Sequence, residues 1–267
     1  MTLKLYHKIV IVAVIIIIGI AVAYSSIGSS SNALNLTSYG RVPVSAYVLG
    51  RLAVPQNVSN AVGAGLGKQL TPVNGTPLVF NGKPEVLYIG AEYCPYCAAE
   101  RWPLIVALMR FGSFSGLQYM TSSPSDYSPN TPTFTFVNST YTSNYISFVS
   151  IETMDNKLVN GNYGQLQTLN SSEAAIDSQY NPQGYIPFID FGNSKIDIGA
   201  SYDPLPVLGG RSWNSISENL SAPSSLQALS IVGNANIFTA EICSIDNNTP
   251  QSVCGQQYVK KIENGMA

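Results

Sequence analysis

Charge is scarce in this sequence. Asp, Glu, Lys and Arg make up 10% of 267 residues, with 13 basic against 15 acidic side chains and a formal charge of −2. An average globular chain carries about 25%. A coiled coil and a highly charged disordered tail are therefore excluded. With no cationic excess to neutralise phosphates, no nucleic acid is expected as a partner. Histidine is nearly absent: His7 stands alone, which removes most His-based catalysis and most mixed Cys/His metal sites. Four cysteines are too few for a disulfide-dense scaffold. Neither a metal nor another cofactor is expected.

Ser, Thr, Asn and Tyr, with 16 Tyr in all, take the place of the missing charges. Such a surface titrates little. It suits an exterior protein facing acid, because fewer carboxylates lose less stability on protonation; compositional drift would produce it too. Apolar residues at 45% are enough for a real core.

Lys4, His7 and Lys8 precede an apolar run from Ile9 to Ala23 that includes Ile15 to Ile18. This is a membrane-targeting segment. With Ala21-Val22-Ala23 as a cleavage site it is a signal peptide. As an uncleaved anchor it rises about 22 Å against a hydrocarbon core of about 30 Å, and continuation through Ile27 makes up the length. The anchor is favoured. Either way the basic flank stays cytoplasmic and the rest lies outside. The expected organisation is a membrane segment at 1–24, a Ser/Gly/Asn-rich linker at 25–41 and an ectodomain at 42–267. The alternative to a single-pass cell-membrane protein is a secreted one. Sequons at Asn35, Asn57, Asn74, Asn138, Asn170, Asn219 and Asn247 agree with an exterior, glycosylated surface.

Along the ectodomain, short helices are expected from Val44 to Leu52 and from Asn57 to Leu70, the second weakened by Gly63, Gly65 and Gly67. Leu78 to Phe80 and Glu85 to Gly90 read as strands, the latter buried. Pro95 to Arg110 reads as a helix with one apolar face, ended by Gly112. Leu117 to Thr121 is a strand, and Thr133 to Val137 with Tyr145 to Glu152 alternate as a hairpin pair. Ser171 to Tyr180 is a helix. Pro187 to Phe191 and Lys195 to Ala200 flank a Gly192-Asn193 turn. Ser212 to Leu220 and Ser224 to Ser244 are helical.

Cys94-Pro95-Tyr96-Cys97 falls between the buried strand and the first turn of the following helix. A thiol there faces unpaired N–H groups and the positive end of the helix dipole, so its thiolate is stabilised. Pro95 suits the first helical position. Cys94 is expected exposed and attacking, with Cys97 resolving the mixed disulfide. An inert disulfide is the bland alternative; zinc would need two further ligands. Pro103 should kink the helix. Tyr96 is expected exposed and in reach of substrate. Tyr93, Tyr96 and Trp102 could line a groove, although Trp102 reads better as core. Glu85, Glu92 and Glu100 are the acids available for proton transfer, with Glu100 read as a solvated first-turn residue.

This C-x-x-C corner, with Gly184-Tyr185-Ile186-Pro187-Phe188-Ile189-Asp190-Phe191 downstream, resembles the thioredoxin-like superfamily. The resemblance implies an α/β fold in which Ile186-Pro187 is a cis peptide facing the cysteines. It also implies that Ile186 offers its backbone to an extended substrate. Leu-Tyr-Ile-Gly-Ala-Glu-Tyr-Cys-Pro-Tyr-Cys-Ala-Ala-Glu-Arg-Trp and Asn-Thr-Pro-Thr-Phe-Thr-Phe, within the stretch from Gly75 to Asp155, are similar to an archaeal, membrane-tethered family known as domain of unknown function 929. That likeness continues to the Cys243/Cys254 segment. The long path from Cys97 to Pro187 departs from a minimal thioredoxin and implies an insertion at about 122–184.

Cys243 and Cys254 flank a polar turn-forming loop. A structural disulfide is the preferred reading; a relay pair serving Cys94 and Cys97 is the other. The expected function is a membrane-tethered, exterior thiol–disulfide oxidoreductase. Its partners would be secreted or surface proteins with thiols or disulfides, and a membrane redox protein. The competing class is a thioredoxin-like surface-binding or structural module whose Cys94–Cys97 bond is not catalytic.

Overall fold

The computed structural model describes residues 41–265. The membrane segment, nearly all of the linker and the Asn35 sequon lie outside the described residues. The strands are β1 (Thr71–Pro72), β2 (Val79–Phe80), β3 (Lys83–Gly90), β4 (Gly112–Ser115), β5 (Gln118–Thr121) and β6 (Pro132–Thr135), followed by β7 (Thr140–Ser143), β8 (Ser147–Glu152), β9 (Met154–Val159), β10 (Asn162–Gln165), β11 (Phe188–Phe191) and β12 (Lys195–Ile198). The helices are α1 (Ala46–Leu52), α2 (Gln56–Val62), α3 (Pro95–Leu108), α4 (Ser171–Tyr180), α5 (Pro204–Leu208), α6 (Trp213–Asn219), α7 (Gly233–Ile245), α8 (Gln251–Cys254) and α9 (Gln257–Glu263). The fold is mixed α/β.

A six-stranded mixed sheet is the frame. β3 lies at its centre because Val86 to Ile89 are apolar on both faces, as a strand covered on both sides must be. It pairs in parallel with β8, Glu85 opposite Ser147 through Gly90 opposite Glu152. On its other side it pairs antiparallel with β11, which turns back into β12. Leu87, Ile89, Ile151, Phe188 and Ile196 form the core on one face, closed by Ile176 and Tyr180 of α4. The opposite face carries Tyr88 and Phe191, covered by α3 and α7; the Phe191 and Phe238 rings lie 5.2 Å apart.

Several expectations need correction. Thr133 to Val137 and Tyr145 to Glu152 are not a hairpin. β6 pairs with β5, whereas β8 joins the central sheet beside β3. Period-two alternation identifies a strand but not its partner, and the intervening β7 goes to β4 instead. Within the 122–184 span, β8 is part of the frame. The second short helix stops at Val62, where Gly63 takes φ 58°. α3 ends at Leu108 rather than at Gly112, which opens β4. α3 is also buried from Cys97 to Leu108 all round, not on one face.

The Ala228–Ile245 stretch has the length and apolar composition to cross a membrane, yet 78% of it is buried inside the protein, as befits a core helix. Cys243 in α7 is disulfide-bonded to Cys254 in α8, with Cα atoms 5.5 Å apart. The bond fastens the last helices, whose Tyr258 and Val259 are buried, to the layer beneath the sheet.

Candidate functional site

The C-terminal end of β3 delivers the chain into α3, and Cys94 is the residue that caps that helix. Its Sγ accepts the Cys97 N–H at 3.3 Å. Pro95 follows at the first helical position, where no N–H is needed. Ile186-Pro187 is a cis peptide, and the Ile186 carbonyl lies 4.0 Å from Cys94 Sγ. The two segments, distant in sequence, therefore meet at one thiol. Cys94 and Cys97 are both free thiols.

Hydrogen bonding with the Cys97 thiol pulls Cys94 below its ordinary pKa. Burial opposes this, while the Cys97 and Tyr96 backbone N–H groups and the Arg101 charge assist it. Burial pushes the Cys97 thiol well up, and the neighbouring Cys94 adds to that. The pair is thus split into an outer group that ionises readily and an inner one that resists. Cys94 is not openly exposed as expected: 5% of its surface reaches solvent and Cys97 has none. The cap geometry that stabilises the sulfur also folds it under the Ile186 loop.

Aromatic residues adjoin both segments that meet at Cys94. Tyr96 is 41% exposed and stacks on Tyr127, centroids 6.1 Å apart. Tyr93 stacks on Tyr163 at 4.2 Å, and Tyr185, next to Ile186, is 62% exposed. Trp102 is fully buried and donates to the Pro132 carbonyl, so it is core rather than groove.

The acids are arranged otherwise than the sequence led us to expect. Glu100 is not solvated. It is fully buried, accepts Ser201 N–H and Oγ–H at 2.7 and 2.8 Å, and is held above the usual carboxyl range first by burial and then by Asp197. Glu92 is buried with Oε2 on Arg41 at 2.6 Å and Oε1 on Thr135 at 2.6 Å. Glu85 sits on the opposite face of the sheet from Tyr88.

Sequence reasoning passed over Arg101 and Glu152. Both are fully buried, and they pair through Nε–Oε1 at 2.8 Å and Nη2–Oε2 at 2.6 Å. Nη2 also donates to the Ala91 carbonyl at 2.9 Å. The ion pair braces the β3–α3 corner against the end of β8. A charge in the middle of Ala-Ala-Glu-Arg-Trp, in a chain so poor in charge, was the available signal.

The remaining sequence candidates are scattered. Asn57, Asn74, Asn138, Asn170 and Asn247 are exposed and Asn219 is half-buried. No group of metal ligands occurs among the described residues. A family model described as Domain of unknown function (DUF929) matches residues 69–244, a span that contains Cys94, Cys97, Ile186 and Pro187. No curated protein and no solved structure gives a significant match.

Proposed function

The chain belongs to the family described as Domain of unknown function (DUF929), and from its site we propose a thiol–disulfide oxidoreductase of thioredoxin-like fold. We further read it as tethered to a membrane and facing the exterior, acting on secreted or surface proteins. The observation that carries the reading is Cys94: a helix-capping thiol of lowered pKa, beside a buried second cysteine and under the Ile186-Pro187 loop.

The sheet order β8-β3-β11-β12, parallel then antiparallel twice, supports the thioredoxin-like reading. In it the nucleophilic corner follows the central strand and the cis-proline opens the neighbouring one. The oxidised Cys243–Cys254 pair and the exposed sequons support an exterior compartment. In the exchange, a substrate thiolate attacks one sulfur of the Cys94–Cys97 disulfide, or the Cys94 thiolate attacks a substrate disulfide. Either route passes through a mixed disulfide on Cys94, which Cys97 or a second substrate thiolate resolves. The rim of Tyr96, Tyr127 and Tyr185 offers apolar area to the substrate segment.

The low exposure of Cys94 favours the second reading, a surface module with a non-catalytic pair. The two separate on turnover. Full-length protein should catalyse disulfide exchange in a reduced or scrambled model protein, and Cys94→Ser should abolish it. Equal rates with and without Cys94 would leave the module.

A further inference from the structure

Glu100 of α3 and Asp197 of β12 are joined by one hydroxyl. Ser201 Oγ lies 2.8 Å from Glu100 Oε1 and 2.9 Å from Asp197 Oδ2. A serine hydroxyl has a single hydrogen to give. Two ionised carboxylates cannot both accept it, so one of the two carboxyls carries a proton and donates back. Glu100 is that one. It is fully buried and forms no ion pair among the described residues, and burial together with the Asp197 charge holds its carboxyl well above the usual range. Asp197 is the ionised member, because Lys68 Nζ stands 2.6 Å from its other oxygen, Oδ1. Nζ also donates to the Ile198 carbonyl at 2.7 Å, and the Lys68 N–H donates to Asn234 Oδ1 at 2.8 Å, so the lysine is fixed at both ends.

The contact between Nζ and Oδ1 is close but lacks hydrogen-bond alignment, so the amine is not seated on the oxygen's lone pair, and the carboxyl carbon is one bond further on. A lysine nitrogen, a carboxyl and a protonated second acid thus converge. We infer that Lys68 and Asp197 become joined by an amide bond, formed by the folded chain itself, with Glu100 lending a proton through Ser201. The bond would tie the approach to β1 onto β12, where the ladder pairs only Thr71 with Ile196 and Pro72 with Lys195. It is independent of the Cys94 chemistry. Lys195 and Glu241 make the contrast. They meet at 2.7 Å and Glu241 is buried too, but neither of its oxygens accepts a hydrogen bond, so no proton is lent there and the pair stays ionic.

The ammonium first passes one proton to Oδ1, which leaves a neutral amine beside a neutral carboxyl; the Asp197 side chain is 1% exposed, and burial disfavours the charged forms. The nitrogen lone pair then attacks Cγ. A C–N bond forms, and the carbonyl pair moves to Oδ2, which takes a proton from Ser201 Oγ as Ser201 takes one from Glu100. The nitrogen gives its second proton to Oδ1, the Cγ–Oδ1 bond breaks and Oδ1 leaves as water. Oδ2 returns its proton through Ser201 to Glu100, and the amide carbonyl remains. One ammonium and one carboxylate become one amide and one water, with Glu100 as it began and no oxidant needed. The Lys68 side chain is 37% exposed, so the water has a way out.

The test is a tryptic peptide map of the full-length protein by mass spectrometry, after reduction so that the Cys243–Cys254 bond joins nothing. Trypsin does not cut after an acylated lysine. The chain should therefore stay uncut at Lys68, and the peptide holding Lys68 should appear joined to the one holding Asp197, lighter than their sum by one water. Glu100→Gln keeps the shape of the side chain and removes the proton it lends, so the joined pair should disappear and cleavage at Lys68 return. Lys68→Arg keeps the ion pair but cannot form this bond, and it should melt lower than wild type because a cross-link closing a long loop is lost. Cleavage at Lys68 in the wild-type protein, with no joined pair, overturns the inference. A joined pair at the wild-type level in Glu100→Gln overturns the route through Glu100. If Glu100→Gln does not fold, the wild-type map decides alone.

Discussion

Removing the Cys243–Cys254 bond should loosen the C-terminal helices without touching the exchange chemistry. The bond closes a loop with a sequence separation of 11. In the chain-entropy account a loop that short contributes about 3 kcal/mol by restricting the unfolded chain. A domain of this size loses about 2–4 °C of melting temperature per kcal/mol, so the expected fall is about 6–12 °C. Both sulfurs are buried, so serine would add the cost of a buried hydroxyl, and alanine isolates the cross-link better. Cys243→Ala/Cys254→Ala also leaves no lone thiol to attack Cys94. The consequence should reach α9, because Tyr258 packs under the Arg110 guanidinium, 5.1 Å from its ring centre. Circular-dichroism melts of the full-length variant, with model-substrate exchange measured on the same sample, decide the matter. A melting temperature within about 2 °C of wild type, or exchange lost at unchanged stability, would refute the structural assignment and make this pair a redox relay.

Other outcomes follow from the same structure. Burial, reinforced by Glu173 and Asp190, holds the Glu85 carboxyl up to about 7, and burial holds Asp190 up to about 6. Both lie above their unfolded values, so the folded state binds more protons. Stability should be greatest in mild acid and fall as pH rises from about 4.5 toward 7; Glu85→Gln should flatten that fall in melts at pH 5 and pH 8, and an unchanged slope would reject the assignment. In α4, Asn170 Oδ1 accepts the Ser172 and Glu173 N–H groups while the Glu173 carboxylate returns to the Asn170 N–H. Asn170→Ala should cost about 1 kcal/mol by denaturant titration, whereas Asn170→Asp should cost little. If the Ile9 to Ala23 segment is kept, the full-length protein should stay with membranes through an alkaline carbonate wash; release with a mature N-terminus at Tyr24 would mean cleavage.

What the sequence made legible was whatever depends on neighbours along the chain. The Cys94 corner needs only a buried strand, a proline at the first helical position and four residues, all contiguous. α4 announces itself through Asn170 and Glu173, and the β11–β12 hairpin through Gly192-Asn193, both of which take positive φ there. Pairing between distant segments was not legible. β8 has the same alternation whether it pairs with β6 or with β3, and only the completed sheet chooses the second. Burial of polar residues was hidden for a related reason. Glu100 at the start of a helix is ordinarily solvated. Here α7 and the Ser201 turn cover the helix, and no local pattern records what will be packed against it.

That concealed burial changes the meaning of the low charge. Glu85, Glu92, Glu100, Glu152, Asp190, Asp197 and Glu241 are buried, seven of the fifteen acids. Four face a cation: Glu92 with Arg41, Glu152 with Arg101, Asp197 with Lys68 and Glu241 with Lys195. The other three form no ion pair among the described residues, and burial raises the pKa of each. At these three positions protonation in acid relieves buried charge, whereas at the four paired ones it would break an ion pair. Nearly half of the acids are thus held in the interior rather than on the surface. Arg101 belongs to that interior set. A surface arginine would be screened by water and salt, whereas Arg101, at zero exposure and paired with Glu152, still helps to lower both thiols.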